Sequence, residues 1–335
     1  MPEERLKLSE RIASAAVSAT LRLIALLPLV VSQAVGKTIG YCIFRFNTRA
    51  AKVTATNIAL CLPDLPAAEQ RRLARESLGH TGKMMMESPA AWLGGIGRIR
   101  GWIREVRDEA LLDEAITAGR GVVVILPHIG NWELVNAYMA SRPSGEPEKI
   151  GLYAPPGKAF LRGIMAEVRE RFGNEMVPTT PKGLARLFRS VGAGGVAVIL
   201  PDQVPAHGDY VPFFGHDCLT DRLIPRLVRK TGARVVCSVV ERLPHARGFR
   251  LRFSKPHPDI YSENFATSMA GLNKSVEQCV EQARAQYQWE YKRFKERPAG
   301  NLRIYNYENE PQTHFTLDDE LRVTTARSDS DKPAV

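Results

Sequence analysis

Two short segments of this chain are wholly apolar and end in the same way. Gly121-Val-Val-Val-Ile-Leu-Pro127 is followed by His128, and Gly195-Val-Ala-Val-Ile-Leu-Pro201 is followed by Asp202. A strand with one wet face alternates polar and apolar residues, and these do not. They must be buried on both faces, which implies a sheet covered by helices on each side. In open α/β sheets, ligands bind beyond the carboxyl ends of the strands. His128 and Asp202 are therefore candidates for one site.

The rest of the chain fits that class. Helical patterns cover Asp108–Gly119, Lys158–Phe172, Lys182–Ser190 and Asp221–Thr231, the last disturbed by Pro225. Strands are expected at Arg234–Val240 and Phe249–Phe253, and a last long helix over 265–289. Pro66 with Glu69 reads as a helix start, and the Met84-Met85-Met86 run as core. The expected architecture is a single-domain α/β sandwich over residues 46–307. An N-terminal segment, 1–45, precedes it, and a polar, acidic, disordered tail, 308–335, follows it.

Residues 16–44 are the most apolar stretch. The run Leu23–Gly36 is uncharged, with Arg22 before it and Lys37 after it. It is short for a span, which needs about 20 apolar residues. Pro28 should kink it, and Ser32 and Gln33 weaken a lipid face. A membrane-anchoring segment with basic flanks is the reading adopted. The alternatives are a buried core helix and a signal peptide cut after Ala34.

Hydrophobic residues make up 44% of the chain, enough to bury a core and exclude global disorder. The 46 basic and 36 acidic residues give +10. The tail carries −4, so the body carries +14 and should attract anionic partners. Five scattered cysteines (Cys42, Cys61, Cys218, Cys237, Cys279) form no C-x-x-C pair, which points to a reducing compartment rather than a disulfide framework. Cys218 has no nucleophile signature around it. His207, His216, His245 and His257 read as loop residues, and no metal site is expected.

The segment His128-Ile-Gly-Asn-Trp-Glu133 carries the most chemistry. On one continuous helix His128 and Glu133 would lie about 140° apart and could not meet. Gly130 and Asn131 permit a tight turn, which can bring imidazole and carboxylate together as a base and its orienting partner.

His-x4-Glu at the end of an apolar strand resembles the glycerolipid acyltransferase signature. Further segments follow in order: Asn57-Ile-Ala-Leu-Cys-Leu-Pro63, Pro201-Asp202-Gln203, Val211-Pro-Phe-Phe-Gly215, Thr231-Gly-Ala233, and Gln286-Tyr-Gln-Trp289 leading to Arg293-Phe-Lys-Glu-Arg-Pro298. Together they resemble the late lipid A acyltransferases, the lauroyl and myristoyl transferases, over residues 20 to 305. The resemblance implies the glycerolipid acyltransferase type of α/β fold, with an N-terminal membrane-associated helix. It also implies a bacterial inner-membrane enzyme facing the cytoplasm. Such an enzyme transfers an acyl chain from acyl carrier protein, as co-substrate and partner, to a hydroxyl of a lipid A precursor. No other cofactor and no nucleic acid are implied.

By the same resemblance His128 is the base, Glu133 its partner, and Arg171 and Asp202 further functional residues. Gln203 stands where some members carry His. Backbone N–H groups near Gly130 and Asn131, or the Arg171 guanidinium, would stabilise the oxyanion. Phe213 and Phe214 would line an acyl pocket, or else pack in the core. Arg222, Arg226 and Arg229 share a helix face suited to an acidic carrier or lipid phosphate. The aromatic and basic residues Tyr291–Arg297 suit headgroup contact. Two other readings stay open: another glycolipid or lysolipid as acceptor, and a basic membrane- or nucleic-acid-binding protein without catalysis.

Overall fold

A computed structural model describes residues 8–143, 145–153, 173–301 and 303–305. Arg171, the helix expected over 158–172 and the tail from 308 lie outside the described residues.

Among these residues the central sheet has seven strands: β1 (Ile103–Arg107), β2 (Val122–Ile125), β3 (Lys149–Tyr153), β4 (Glu175–Pro178), β5 (Val196–Ile199), β8 (Arg234–Arg242) and β9 (Phe249–Ser254). Their order is β1-β9-β8-β2-β5-β3-β4. All neighbours run parallel except β8 and β9, which are antiparallel. A separate hairpin joins β6 (Asp209–Phe213) to β7 (His216–Thr220). Phe214 and Gly215 make its turn with φ of +47° and +78°.

The two apolar segments are the middle strands, and their side chains alternate between two cores. Val123 and Ile125 enter one, while Val122, Val124 and Leu126 enter the other. Full burial of each contributes about 1.5–3 kcal/mol. The first core packs under α3 (Arg49–Cys61), α8 (Pro181–Gly192), α9 (Leu223–Thr231) and α10 (Phe265–Gln282). The second packs under α5 (Ile96–Trp102), α6 (Ala110–Thr117), α7 (Leu134–Ala140) and the end of α4 (Ala67–Leu93). The α/β expectation therefore holds, with a mostly parallel central sheet. Register matters most for the site. Ile125 stands opposite Ile199, and each strand releases its polar residue three positions later, at His128 and at Asp202.

The N-terminal apolar run is not one helix. α1 (Leu8–Leu26) and α2 (Leu29–Arg45) meet at Pro28, bent by 118°. Arg98 fixes the elbow by donating to the Ala25 and Leu27 carbonyls while stacking 5.5 Å over Trp102. No single described helix is long and apolar enough to cross a membrane, and only the bent pair passes that test together. Ser32 and Gln33, expected to weaken a lipid face, instead point inward and are buried. α2 lies on α4 backbone to backbone. A Cβ at Gly36 would sit 2.5 Å from the Gly82 carbonyl oxygen, and one at Gly40 would sit 2.1 Å from that of Leu78. This is small-residue helix packing of the GxxxG kind.

Two expectations fail here. The last helix stops at Gln282, not 289, because 287–289 run extended beside the His128 loop. Met85 is exposed, so the Met run is not wholly core.

Gly82→Val should force α2 away from α4. We expect a loss of about 1–3 kcal/mol from overpacking, read as a lowered melting temperature. Gly79→Ala, which meets open space on the same helix, should leave it unchanged or higher.

Candidate active site

His128 leaves β2 after Pro127, and its ring is held from the neighbouring strand end. Nδ1 lies 2.8 Å from Asp202 Oδ1, and the His128 backbone N–H donates to Asp202 Oδ2 at 2.9 Å. Both carboxylate oxygens thus serve one residue. Asp202 is buried and His128 nearly so. Burial pushes the Asp202 carboxyl up, but the adjacent His128 ring and N–H outweigh it, and the carboxyl ends below its ordinary range. With Nδ1 committed to Asp202, Nε2 is the nitrogen left for chemistry. Trp132 packs edge-on to the ring, with centroids 4.6 Å apart.

The turn from 128 to 133 forms as the glycine demands. Gly130 has φ +64°, and a Cβ there would lie 1.7 Å from the Val240 carbonyl oxygen. Ile129 and Gly130 bridge to Tyr287 and Val240. Three backbone N–H groups of this loop are engaged within the protein: Ile129 to Pro127, Gly130 to Gln286 at 2.9 Å, Asn131 to Val240 at 3.2 Å. The expectation that Gly130 or Asn131 offers an N–H to an oxyanion is therefore overturned. Their role is to shape the loop.

Glu133 caps the entry to α7, half-buried and beside the ring. Burial raises its carboxyl above the ordinary range, partly offset by the Trp92 indole, His128 and Trp132. The carboxylate hydrogen-bonded to the ring is Asp202, from the neighbouring strand end, while Glu133 is coupled to the ring electrostatically. A third carboxylate, Glu290, is also raised by burial and lies within electrostatic reach of His128. Its Oε2 is buried without a hydrogen-bond partner. The sequence reading missed it.

It also missed what supports the loop. Glu87 of α4 and Arg242 of β8 form a fully buried ion pair, Nε to Oε1 2.8 Å and to Oε2 2.9 Å. Glu87 accepts further bonds from Gln33 (2.8 Å) and Asn131 (3.1 Å). Arg242 donates to the Gly130 carbonyl at 2.9 Å. Gln286 clamps the Arg242 backbone on both sides, at 2.8 and 3.1 Å. The one visible signal was a charge inside an apolar strand and another inside an otherwise apolar helix end.

The remaining candidates are placed as follows. Phe213 is buried in the first core, against Phe214, Tyr287 and Phe294. Gln203 donates to Gln288, whose own N–H donates to the His128 carbonyl. Arg222 turns back to Asp209 at 2.7 Å, leaving Arg226 and Arg229 to face a groove. Arg293 and Phe294 are buried, Arg293 donating to the Leu219 carbonyl at 2.6 Å, so this part of 291–297 is structural rather than a headgroup surface. Asn57 holds the same segment through the Trp289 and Tyr291 carbonyls, at 2.7 and 2.9 Å. Cys218 is buried and its thiol is pushed up by burial, which does not suit a nucleophile.

Residues 3–296 match the family model of the bacterial lipid A biosynthesis acyltransferases. The chain is 28% identical to the lipid A biosynthesis lauroyltransferase of Escherichia coli K12, over 83% of this chain and 90% of that protein. It is 27% identical to the palmitoleoyltransferase of the same strain, over 83% and 90%. With that strain's lipid A biosynthesis myristoyltransferase it shares 23% identity, over 78% and 80%.

Glu87→Ala leaves Arg242 buried and uncompensated and should destabilise by about 3–5 kcal/mol, measured by thermal unfolding. Replacing both with Met should restore much of that stability while activity stays low, because the Gly130 carbonyl and Asn131 amide lose their partners. Asp202 titrates below its unfolded value. It therefore stabilises the native state above about pH 3.9, and that contribution disappears as pH falls through the lower folded value. The melting-temperature gap between wild type and Asp202→Asn should be wide at neutral pH and close towards pH 3. A gap that does not change with pH would mean that the charge is not what holds the ring.

Proposed function

The chain belongs to the bacterial lipid A biosynthesis acyltransferase family, and from this premise we propose that it moves an acyl chain from acyl carrier protein to a hydroxyl of a lipid A precursor, with His128 as general base. Acyl transfer in lipid A biosynthesis is the family's activity. The observation that carries the finer reading is the pair of hydrogen bonds that the Asp202 carboxylate accepts from the His128 ring and backbone. It fixes the tautomer with the proton on Nδ1 and keeps Nε2 basic.

In the first step Nε2 takes the proton of the acceptor hydroxyl as its oxygen attacks the thioester carbonyl. The tetrahedral intermediate then collapses, the C–S bond breaks, and the imidazolium returns the proton to the leaving phosphopantetheine thiol. Asp202 and Glu133 stabilise the imidazolium while it exists. The thioester is activated enough that no covalent enzyme intermediate is required. A narrow apolar cavity of about 90 Å³ opens beside Trp132 and Glu133, with Leu126, Met139, Ile150 and Val198 in its walls. It suits the first methylenes of an acyl chain.

Two surfaces support the partners. Between α8 and α9 lies a groove of about 1120 Å³ lined by Lys182, Arg189, Arg226, Arg229 and Lys230 together with Phe188 and Phe265, and among the described residues no carboxylate lines it. That chemistry fits an acidic carrier protein. On the bent pair α1–α2, Leu23, Leu26, Val30, Val31 and Val35 are exposed. This band would seat the enzyme on the cytoplasmic face of the inner membrane.

The test is acyl transfer by purified full-length protein from acyl carrier protein to a lipid A precursor, read by mass spectrometry. His128→Ala should lower kcat by about 10²–10⁴-fold in a protein that still folds, as read by circular dichroism; a fully active variant would sink the mechanism. Arg226→Glu with Arg229→Glu should raise KM for the carrier thioester and leave KM for the acceptor alone.

A further inference from the structure

Along the glycine contact between α2 and α4 runs a groove of about 600 Å³. Lys37, Arg72, Arg75 and Lys83 line it, with Glu76 as the one carboxylate. Among the described residues, Lys37, Arg72 and Lys83 make no hydrogen bond or ion pair, and Arg75 stacks over Tyr41 at 5.7 Å. Four cations thus face one carboxylate, and the groove carries an excess of positive charge. Burial first, then Arg242 and Lys37, lower the Lys83 ammonium from the ordinary lysine value, against the Glu87 and Glu76 carboxylates, which raise it.

The floor of the groove is polar and rigid. His80 is half-buried and held neutral, pushed down to about 2 by burial and Arg242. Its Nδ1 accepts from Arg242 Nη1 at 3.2 Å, so its proton is on Nε2, where it can be donated to a ligand. The same guanidinium donates to Gly130 in the His128 loop. The groove thus sits one side chain away from the catalytic turn. At its rim stands Tyr41, 48% exposed. Val35, on the same helix as Tyr41, belongs to the exposed band.

We propose that this groove binds a phosphate group carried by the lipid that the enzyme acylates. The inference rests on the acceptor assigned above. Two guanidinium and two ammonium groups around one N–H donor match a phosphate monoester, which carries close to two negative charges at neutral pH. A single carboxylate would leave most of that charge unanswered. Tyr41 lies on the same helix as the exposed Val30, Val31 and Val35, so the ligand's acyl chains would lie along α2 with its polar head in the groove.

The experiment is equilibrium binding of a lipid A precursor, and of its phosphatase-treated form, to the full chain in neutral detergent micelles. Wild type should bind the phosphorylated form at least tenfold more tightly. The triple variant Arg72→Gln, Arg75→Gln, Lys83→Gln should remove that preference. So should Gly79→Glu, which puts a carboxylate into open space in the groove and should leave the melting temperature unchanged. Equal binding of both forms by wild type, or an intact preference in both variants, overturns the proposal. Equal displacement of the precursor by inorganic phosphate or phosphatidylglycerol also overturns it, since the groove would then be a general anion site. Because the readout is binding, it stands apart from catalysis. A retained phosphate preference without acyl transfer would sink the reaction and keep the groove.

Discussion

The ion pair between Glu87 and Arg242 is the interaction on which the rest of the site depends. Two charges removed from water are costly, and Coulomb attraction alone does not offset that cost. Here nearly every lone pair and proton of the pair is used. Gln33 and Asn131 complete Glu87, while the Gly130 carbonyl, His80 and the Met84 sulfur complete Arg242. The elements so joined are α2, α4, β8 and the loop that carries His128. A hydrophobic pair could hold those elements together as tightly. It could not aim a carbonyl or fix a left-handed turn, and the turn is what presents Nε2.

From this hub the chemistry follows by register. Parallel pairing sets Ile125 against Ile199, so His128 and Asp202 emerge side by side from adjacent strands. Neither residue needs a mobile loop to find the other. Gln286 and Gln288 add a third extended segment on the far side, bonded to the loop's own backbone. The base is therefore held by backbone geometry on two flanks and by a carboxylate on a third.

Much of this was legible in the sequence, and the failures have physical causes. Runs of Val and Ile without polar alternation identify doubly covered strands, and a polar residue after each identifies the edge that carries the site. Gly130 was readable as a turn. The hydrogen bond between His128 and Asp202 was legible only as membership of one site, because strand register, a property of pairing, sets the two side by side. Glu87 and Arg242 were missed because a buried charge looks the same in one dimension as an exposed one. Arg293 was misread for the same reason. Its guanidinium closes a carbonyl in the interior rather than meeting a headgroup. Pro28 was read as a kink and is a full break, since Arg98 satisfies the carbonyls that the broken helix leaves open.

The ion pair also sets an order of events during synthesis. Glu87 and Arg242 are separated by 155 positions, and Gln33 reaches Glu87 across 54. The N-terminal hairpin and α4 leave the ribosome long before β8 exists. Until Arg242 arrives, the cation near Glu87 is Lys83, one turn back on the same helix, and the hydrogen-bonded ion pair is unmade. The glycines allow the two helices to meet early, but the joint becomes permanent late. A nascent chain can thus bring its first helices together while its catalytic turn is still unmade. Activity then appears only when the last strands lock the first ones in place.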